Sequence, residues 1–266
     1  VILKTPAIAL RIHPYTETSR VITWLTPEEG RLNTLIKGAM RPRSAFLGQV
    51  DLFYTCELLY YGRNREALPV TREVAPMKTR GALRTDWRAC AVASYLCGMV
   101  SRATPPQGTR HDVFDWLETA LDDLAARGGT SAVLCWQELR LLGLLGLAPR
   151  LRACSACGAA PGDAEAAFSA SEGVWRCARC QRATPLRDPI WTPGPALRAL
   201  GEWQSGGAPE TARTTALSFS QQAAAERALG QFLAFHLDIA PAARAAALDI
   251  LARRPPQSID RTPGLR

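Results

Sequence analysis

From residue 7 to residue 75 apolar side chains recur with a period of two. Ile8, Leu10 and Ile12 alternate with Ala9 and Arg11; Val21, Thr23 and Leu25 alternate with Ile22 and Trp24; Leu32, Thr34 and Ile36 alternate with Asn33 and Lys37. Such alternation turns one face of a strand to a core and the other away from it. A longer strand is predicted next, with Val50, Leu52, Tyr54, Cys56, Leu58 and Tyr60 on one face and Phe53, Leu59 and Tyr61 on the other; the last strand covers residues 68–74. Thr26-Pro27-Glu28-Glu29-Gly30 and Tyr61-Gly62-Arg63-Asn64-Arg65 supply turns. Five strands in about 70 residues predict a small closed barrel of the OB-fold kind.

After Pro76 the period lengthens. Leu83, Trp87, Cys90, Ala91, Ser94, Cys97 and Gly98 follow one helical stripe, with small residues that favour close packing. Thr109-Arg110-His111-Asp112 reads as a capping signal; Val113, Phe114, Leu117, Leu121 and Leu124 then recur at three and four, and Gly128-Gly129 ends that helix. Thr130 or Ser131 opens the next, which runs through Trp136, Leu139, Leu142 and Leu145 to Pro149. Two short strands, 166–170 and 173–176, turn about Ser171-Glu172-Gly173. Further helices are predicted over about 194–204, 219–237 and 241–253, with Pro241 suited to a first turn. The expected class is thus α+β and multidomain. An N-terminal OB-fold β-barrel (1–78) precedes an α-helical domain (79–150 and 186–254) with an inserted four-cysteine zinc ribbon (151–185) and a disordered tail (255–266).

Charge narrows the choice of partner. The 266 residues carry a net charge of +8, which points to a polyanion, nucleic acid first and an anionic membrane second. The chain opens without a basic segment followed by a long apolar run, so no signal peptide is expected. Its most apolar stretch, 132–149, is broken by Glu138 and Arg140 and is short for a membrane span. A cytoplasmic, nucleoid-associated protein with reduced thiols and no membrane partner is expected. Between Gly30 and Gly48 stand Arg31, Lys37, Arg41 and Arg43 with no acidic residue. A basic loop beside a barrel is suited to phosphate contacts, although a solvated run of charge has the same composition. Trp24, Phe46, Phe53 and Tyr61 are candidate stacking platforms, most of them expected to serve the core instead.

Cysteine spacing supplies the most specific chemistry. Cys154-Ser-Ala-Cys157 and Cys177-Ala-Arg-Cys180 form two C-x-x-C knuckles separated by nineteen residues. Each knuckle can present two thiolates to one ion at roughly 2.3 Å, and Gly158 can take the positive φ that such a turn uses. Two disulfides or a redox pair could use the same residues. One zinc per chain is the expectation, structural because four thiolates leave no open position. Arg152, Arg176, Arg179 and Arg182 would offset the cluster's charge of about −2. Cys56, Cys90, Cys97 and Cys135 lie in apolar runs and read as buried free thiols.

No catalytic constellation is visible. The three histidines, His13, His111 and His236, are scattered, and no phosphate loop, nucleophile elbow or H-E-x-x-H occurs. Binding fits better than turnover. A zinc-ribbon RNA-binding or ribosome-associated factor, and an enzyme with a structural zinc ribbon, are the alternatives; the missing acidic cluster for Mg²⁺ speaks against the second.

With these residues in view, the chain resembles the RecO family of bacterial DNA repair and recombination mediators. The resemblance lies in Ala7-Ile8-Ala9-Leu10 through Tyr15, in Leu25-Thr26-Pro27-Glu28-Glu29-Gly30-Arg31-Leu32 and in Lys37-Gly38 to Arg43-Ser44. It continues through Glu138-Leu139-Arg140-Leu141-Leu142 with Gly146 and Pro149 to both cysteine knuckles, in the same order. It implies a protein that binds single- and double-stranded DNA, anneals complementary strands and works with RecR. Together they would help load RecA onto DNA coated with single-strand-binding protein. It also implies that Lys37, Arg41 and Arg43 form the DNA-binding loop, and that Cys154, Cys157, Cys177 and Cys180 hold zinc.

Overall fold

Five strands come first: β1 (Ile2–Pro14), β2 (Arg20–Thr26), β3 (Gly30–Ile36), β4 (Thr55–Tyr61) and β5 (Thr71–Lys78). They form one antiparallel sheet in the order β3-β2-β1-β4-β5. The open edges meet where Leu35 N–H donates to Pro69 O at 2.8 Å and Leu35 pairs with Val70 in parallel. This seam makes the sheet OB-like. Beside it the buried Trp24 indole donates to Thr34 Oγ1 at 2.8 Å, and Thr34 and Thr71 share a hydroxyl bond of 2.7 Å, so these buried polar side chains are all paired. The computed structural model describes residues 1–62, 68–106, 108–237, 239 and 241–253. The expected tail and residues 63–65 of the second expected turn lie outside the described residues.

β1 is buried on both faces at its centre. Ala7 and Ala9 face the barrel interior with Ile22, Ile36, Cys56 and Leu58, whereas Ile8 and Leu10 join Leu25 and Phe53 in a second core built mainly by helices. The expected long strand from Val50 is not formed. Phe53 has φ 69, which breaks the extended run, and its backbone bonds to Ala9 while its ring enters the helical core. β4 therefore begins at Thr55, and β5 begins at Thr71 and ends at Lys78, later than the pattern indicated.

A 3₁₀ turn (Gly81–Arg84) leads into α1 (Trp87–Ala103), whose first turn is capped by Asp86 accepting from Arg88 N and Ala89 N. α2 (His111–Arg127) lacks the expected side-chain cap. Its start is held instead by Arg110 N–H donating to Pro27 O of the barrel at 2.6 Å. α3 (Ser131–Leu144) is capped by Thr130 as expected, but stops short of Pro149, with Gly146 at φ 71 in the turn that follows.

A second sheet follows: β6 (Glu165–Ser169), β7 (Val174–Cys177) and β8 (Ile190–Pro193), in the order β7-β6-β8, with α4 (Ala178–Ala183) between the last two in sequence. Pattern reasoning does not reach β8; four residues that follow Pro189 and end on Pro193 show too little periodicity. The ribbon sheet thus extends past residue 185. α5 (Gly194–Ser205), α6 (Glu210–Thr214), α7 (Phe219–Leu237) and α8 (Pro241–Ala252) complete the chain. One apolar core joins the outer face of the barrel, these helices and the inner face of the ribbon. Among the described residues no helix is long and apolar enough to cross a membrane.

Candidate metal centre and nucleic-acid interface

The two knuckles meet at the end of the ribbon. The four Sγ atoms of Cys154, Cys157, Cys177 and Cys180 lie within 4.8 Å of one another, and Cys157 and Cys177 Sγ are 3.9 Å apart. Two sulfurs each roughly 2.3 Å from one tetrahedral ion stand about 3.8 Å apart, so the spacing fits a shared metal and is far longer than a disulfide of about 2.05 Å. All eight cysteines are free. The first knuckle closes through Gly158 N–H donating to Cys154 O at 2.9 Å, with Gly158 at φ 74, as its position after the knuckle predicted.

Backbone donors prepare the sulfurs unequally. Burial opposes ionisation of Cys154, but N–H groups of Cys177, Ala156 and Cys157 outweigh it and bring the thiol down to about 6. Cys180 is pushed up to about 12 because its thiol is hydrogen-bonded to the sulfurs of Cys177 and Cys157, with burial adding to the effect. A metal ion would displace such shared protons. Cys154 and Cys180 are buried and Cys157 is exposed, so the cluster has an inner side against the core and an outer side towards solvent. The other thiols serve packing. Cys56, Cys97 and Cys135 are buried and pushed upward by burial, whereas Cys90 is only half-buried.

The basic stretch leaves β3 at one end of the barrel. Lys37 is exposed directly after Ile36. Gly38 turns the chain at φ 67, and a Cβ there would stand 3.3 Å from Arg41 Cδ; glycine lets the arginine lie across the turn. Met40 N–H donates to Thr18 O at 2.9 Å, pinning the loop to the β1–β2 connection. Lys37, Arg41 and Arg43 are exposed and have no ion pair among the described residues. The β2–β3 register sets the half-buried Arg20 opposite Ile36, next to Lys37. Pattern reasoning missed Arg20, and only that register would have found it.

Arg31 is placed differently. Its guanidinium donates to Ser101 O at the end of α1 at 2.5 Å, clasping barrel to helices. Of the candidate platforms, Trp24 is wholly buried, Phe53 lies in the helical core, Phe46 is half-buried against the barrel, and Tyr61 is 50% exposed. His13, His111 and His236 are not brought together; the four cysteines are the only metal-like cluster among the described residues.

Residues 1–80 match the family model for the N-terminal part of recombination protein O, and residues 84–245 match that for its C-terminal part. The chain belongs to the RecO family. Its relatives include the DNA repair protein RecO of Anaeromyxobacter sp. (strain K), 32% identical over 91% of this chain and 94% of that one. The DNA repair protein RecO of Bacillus subtilis (strain 168) is 26% identical over 70% of this chain and 72% of its own. Within the RecO family match, the first model ends at Arg80, just past the barrel, and the second begins at Arg84, the last residue of the 3₁₀ turn.

Proposed function

We propose that this chain binds single- and double-stranded DNA through the end of its barrel and anneals complementary strands, without covalent chemistry of its own. The observation that carries this is a basic arc of Arg20 with the exposed Lys37, Arg41 and Arg43, free of ion pairs among the described residues and held in a defined loop. Arg31 contributes mainly by fixing that end of the barrel to α1. The family resemblance adds RecR as a partner and the loading of RecA onto DNA coated with single-strand-binding protein, in the cytoplasm at the nucleoid. Cys154, Cys157, Cys177 and Cys180 would hold one structural zinc: the donor set is all sulfur, and four ligands complete a tetrahedron.

Salt dependence of oligonucleotide binding tests the arc. Four phosphate contacts give a log–log slope of roughly −3 on single strands, at about −0.7 per phosphate. Lys37→Ala/Arg41→Ala is expected to weaken binding to all sequences alike and to flatten the slope by about 1 to 1.5. An unchanged slope would make the loop a solvated surface only.

A further inference from the structure

Away from the barrel, one surface combines positive charge with an exposed indole. In the ribbon sheet, Trp175, Phe168 and Ile190 pair across the strands and turn inward to the core. The neighbouring row, Arg176–Ala167–Trp191, therefore lies on the opposite, outer face. Two strand spacings place the backbones of Arg176 and Trp191 roughly 10 Å apart. Trp191 is 46% exposed although both its neighbours, Ile190 and Thr192, are buried.

The segment after β7 covers the middle of this face. Leu186 packs on Ala167 and Val174, and Gln181 Oε1 accepts from Leu186 N at 2.9 Å. Arg176 donates to Thr184 O, while Arg179, Arg182 and Arg187 are exposed on the same segment. No carboxylate occurs from residue 174 to residue 187; Asp188 follows directly and the exposed Glu165 shares the outer face of β6. Arg227 of α7, also exposed, donates to the backbone oxygen of Trp191 at 3.5 Å and brings a fifth cation to that strand, so the arginines outnumber the carboxylates there five to two. None of the five has an ion pair among the described residues. Offsetting a metal–thiolate charge of about −2 accounts for the arginines next to the knuckles. It accounts neither for Arg227, which comes from another element, nor for a tryptophan left half in solvent.

We infer that the outer face of the ribbon is a second single-stranded DNA site, in which Trp191 stacks on a base and Arg179, Arg182, Arg187 and Arg227 neutralise phosphates. An aromatic platform among cations is the arrangement that holds single strands without sequence preference. The inference rests on the DNA-binding reading of the barrel and extends it, because a chain with two separate strand sites can hold two strands at once.

The test uses the full chain and a labelled oligothymidine. Trp191→Ala is expected to weaken binding about tenfold, within the range for one lost stacked base. Trp191→Phe should restore most of it, and Arg179→Ala/Arg182→Ala should flatten the salt slope by about 1 to 1.5. A photoreactive iodouracil oligonucleotide should cross-link to the peptide holding Trp191 in the unaltered protein, which needs no variant to fold. Wild-type affinity in both ribbon variants, with cross-links confined to the barrel, overturns the second site. If Lys37→Ala/Arg41→Ala loses binding in that same experiment, the barrel reading stands alone. Loss confined to the ribbon variants would overturn the barrel reading and with it the two-site arrangement, leaving the ribbon as the strand site.

Discussion

Buried charge ties the C-terminal helices together through single residues. Arg244 of α8 forms a two-pronged pair with Glu138 of α3, Nε to Oε1 at 2.6 Å and Nη2 to Oε2 at 2.8 Å. Its third nitrogen donates to Glu226 O at 2.7 Å, and Tyr95 OH of α1 donates to Glu138 Oε1 at 2.7 Å. Gly230 makes room: a Cβ there would stand 2.8 Å from Arg244 Nη1. Glu138 is fully buried, so Arg244→Ala leaves a carboxylate without its partner and is expected to cost about 3–5 kcal/mol. At roughly 2–4 °C per kcal/mol for a chain of this size, the thermal midpoint should fall by about 10 °C. Glu138→Leu/Arg244→Leu should recover more than half of that, since removing both charges removes the desolvation penalty. Scanning calorimetry of the three proteins checks this, and an unchanged midpoint in Arg244→Ala would show that the pair does not hold α8. The Glu138 motif could be seen in the sequence, but its role could not. Its partner stands 106 residues away in an alanine-rich helix whose pattern gives no sign of a buried cation.

Elements were legible where their periodicity is long or their chemistry specific, and obscure where they are short or non-local. Period two disclosed β1 to β3, the three-and-four repeat disclosed the long helices but not the short α4 and α6, and the doubled C-x-x-C disclosed the ribbon with its turn at Ser171-Glu172-Gly173. Closure of the barrel rests on a short seam, the parallel bridge of Leu35 to Val70 with the Thr34–Thr71 hydroxyl bond beside it, and so few pairs leave no pattern. Phe53 takes a left-handed φ that its residue type disfavours, so the break before β4 could not be foreseen. Arg31 reads as a phosphate ligand in the sequence, and the carbonyl it binds, 70 residues later, could not be seen there. The ribbon carries the prediction at this scale. Protein purified without added metal should contain about one equivalent of zinc, because a closed thiolate site holds its ion tightly. Cys177→Ser should abolish that content and speed amide exchange along β6 and β7, with β1 and β2 little changed. Two disulfides and no metal in protein kept reduced would refute the assignment.

At the scale of the whole molecule, barrel, helices and ribbon behave as one platform because they share a core and are clasped at their edges. Arg80, itself buried, donates to Phe53 O at 2.6 Å on the barrel side and to Asp122 at 2.6 Å on α2. Gly30 permits a close approach to the α1–α2 connection, where a Cβ would stand only 2.8 Å from Gly108 O, and Arg110 N–H donating to Pro27 O at 2.6 Å ties the β2–β3 turn to the start of α2. A platform of this kind fixes the basic arc in space, and fixed cations can lower the repulsion between two phosphate backbones while bases find their partners. That mechanism consumes no nucleotide. Annealing of complementary fluorescent oligonucleotides should proceed faster than the protein-free control and without ATP. It should scale with protein per nucleotide and slow as salt screens the contacts, with a Debye length of about 10 Å at 0.1 M falling to about 3 Å at 1 M. Addition of RecR should let it act on strands coated with single-strand-binding protein. Pairing no faster than the control, or a strict need for ATP, would exclude the electrostatic mechanism. Arg80→Ala separates the platform from the charge: it should loosen the barrel against α2 and lower the thermal midpoint, while the arc, tied within the barrel by Met40 N–H to Thr18 O, should keep its charge and its annealing rate.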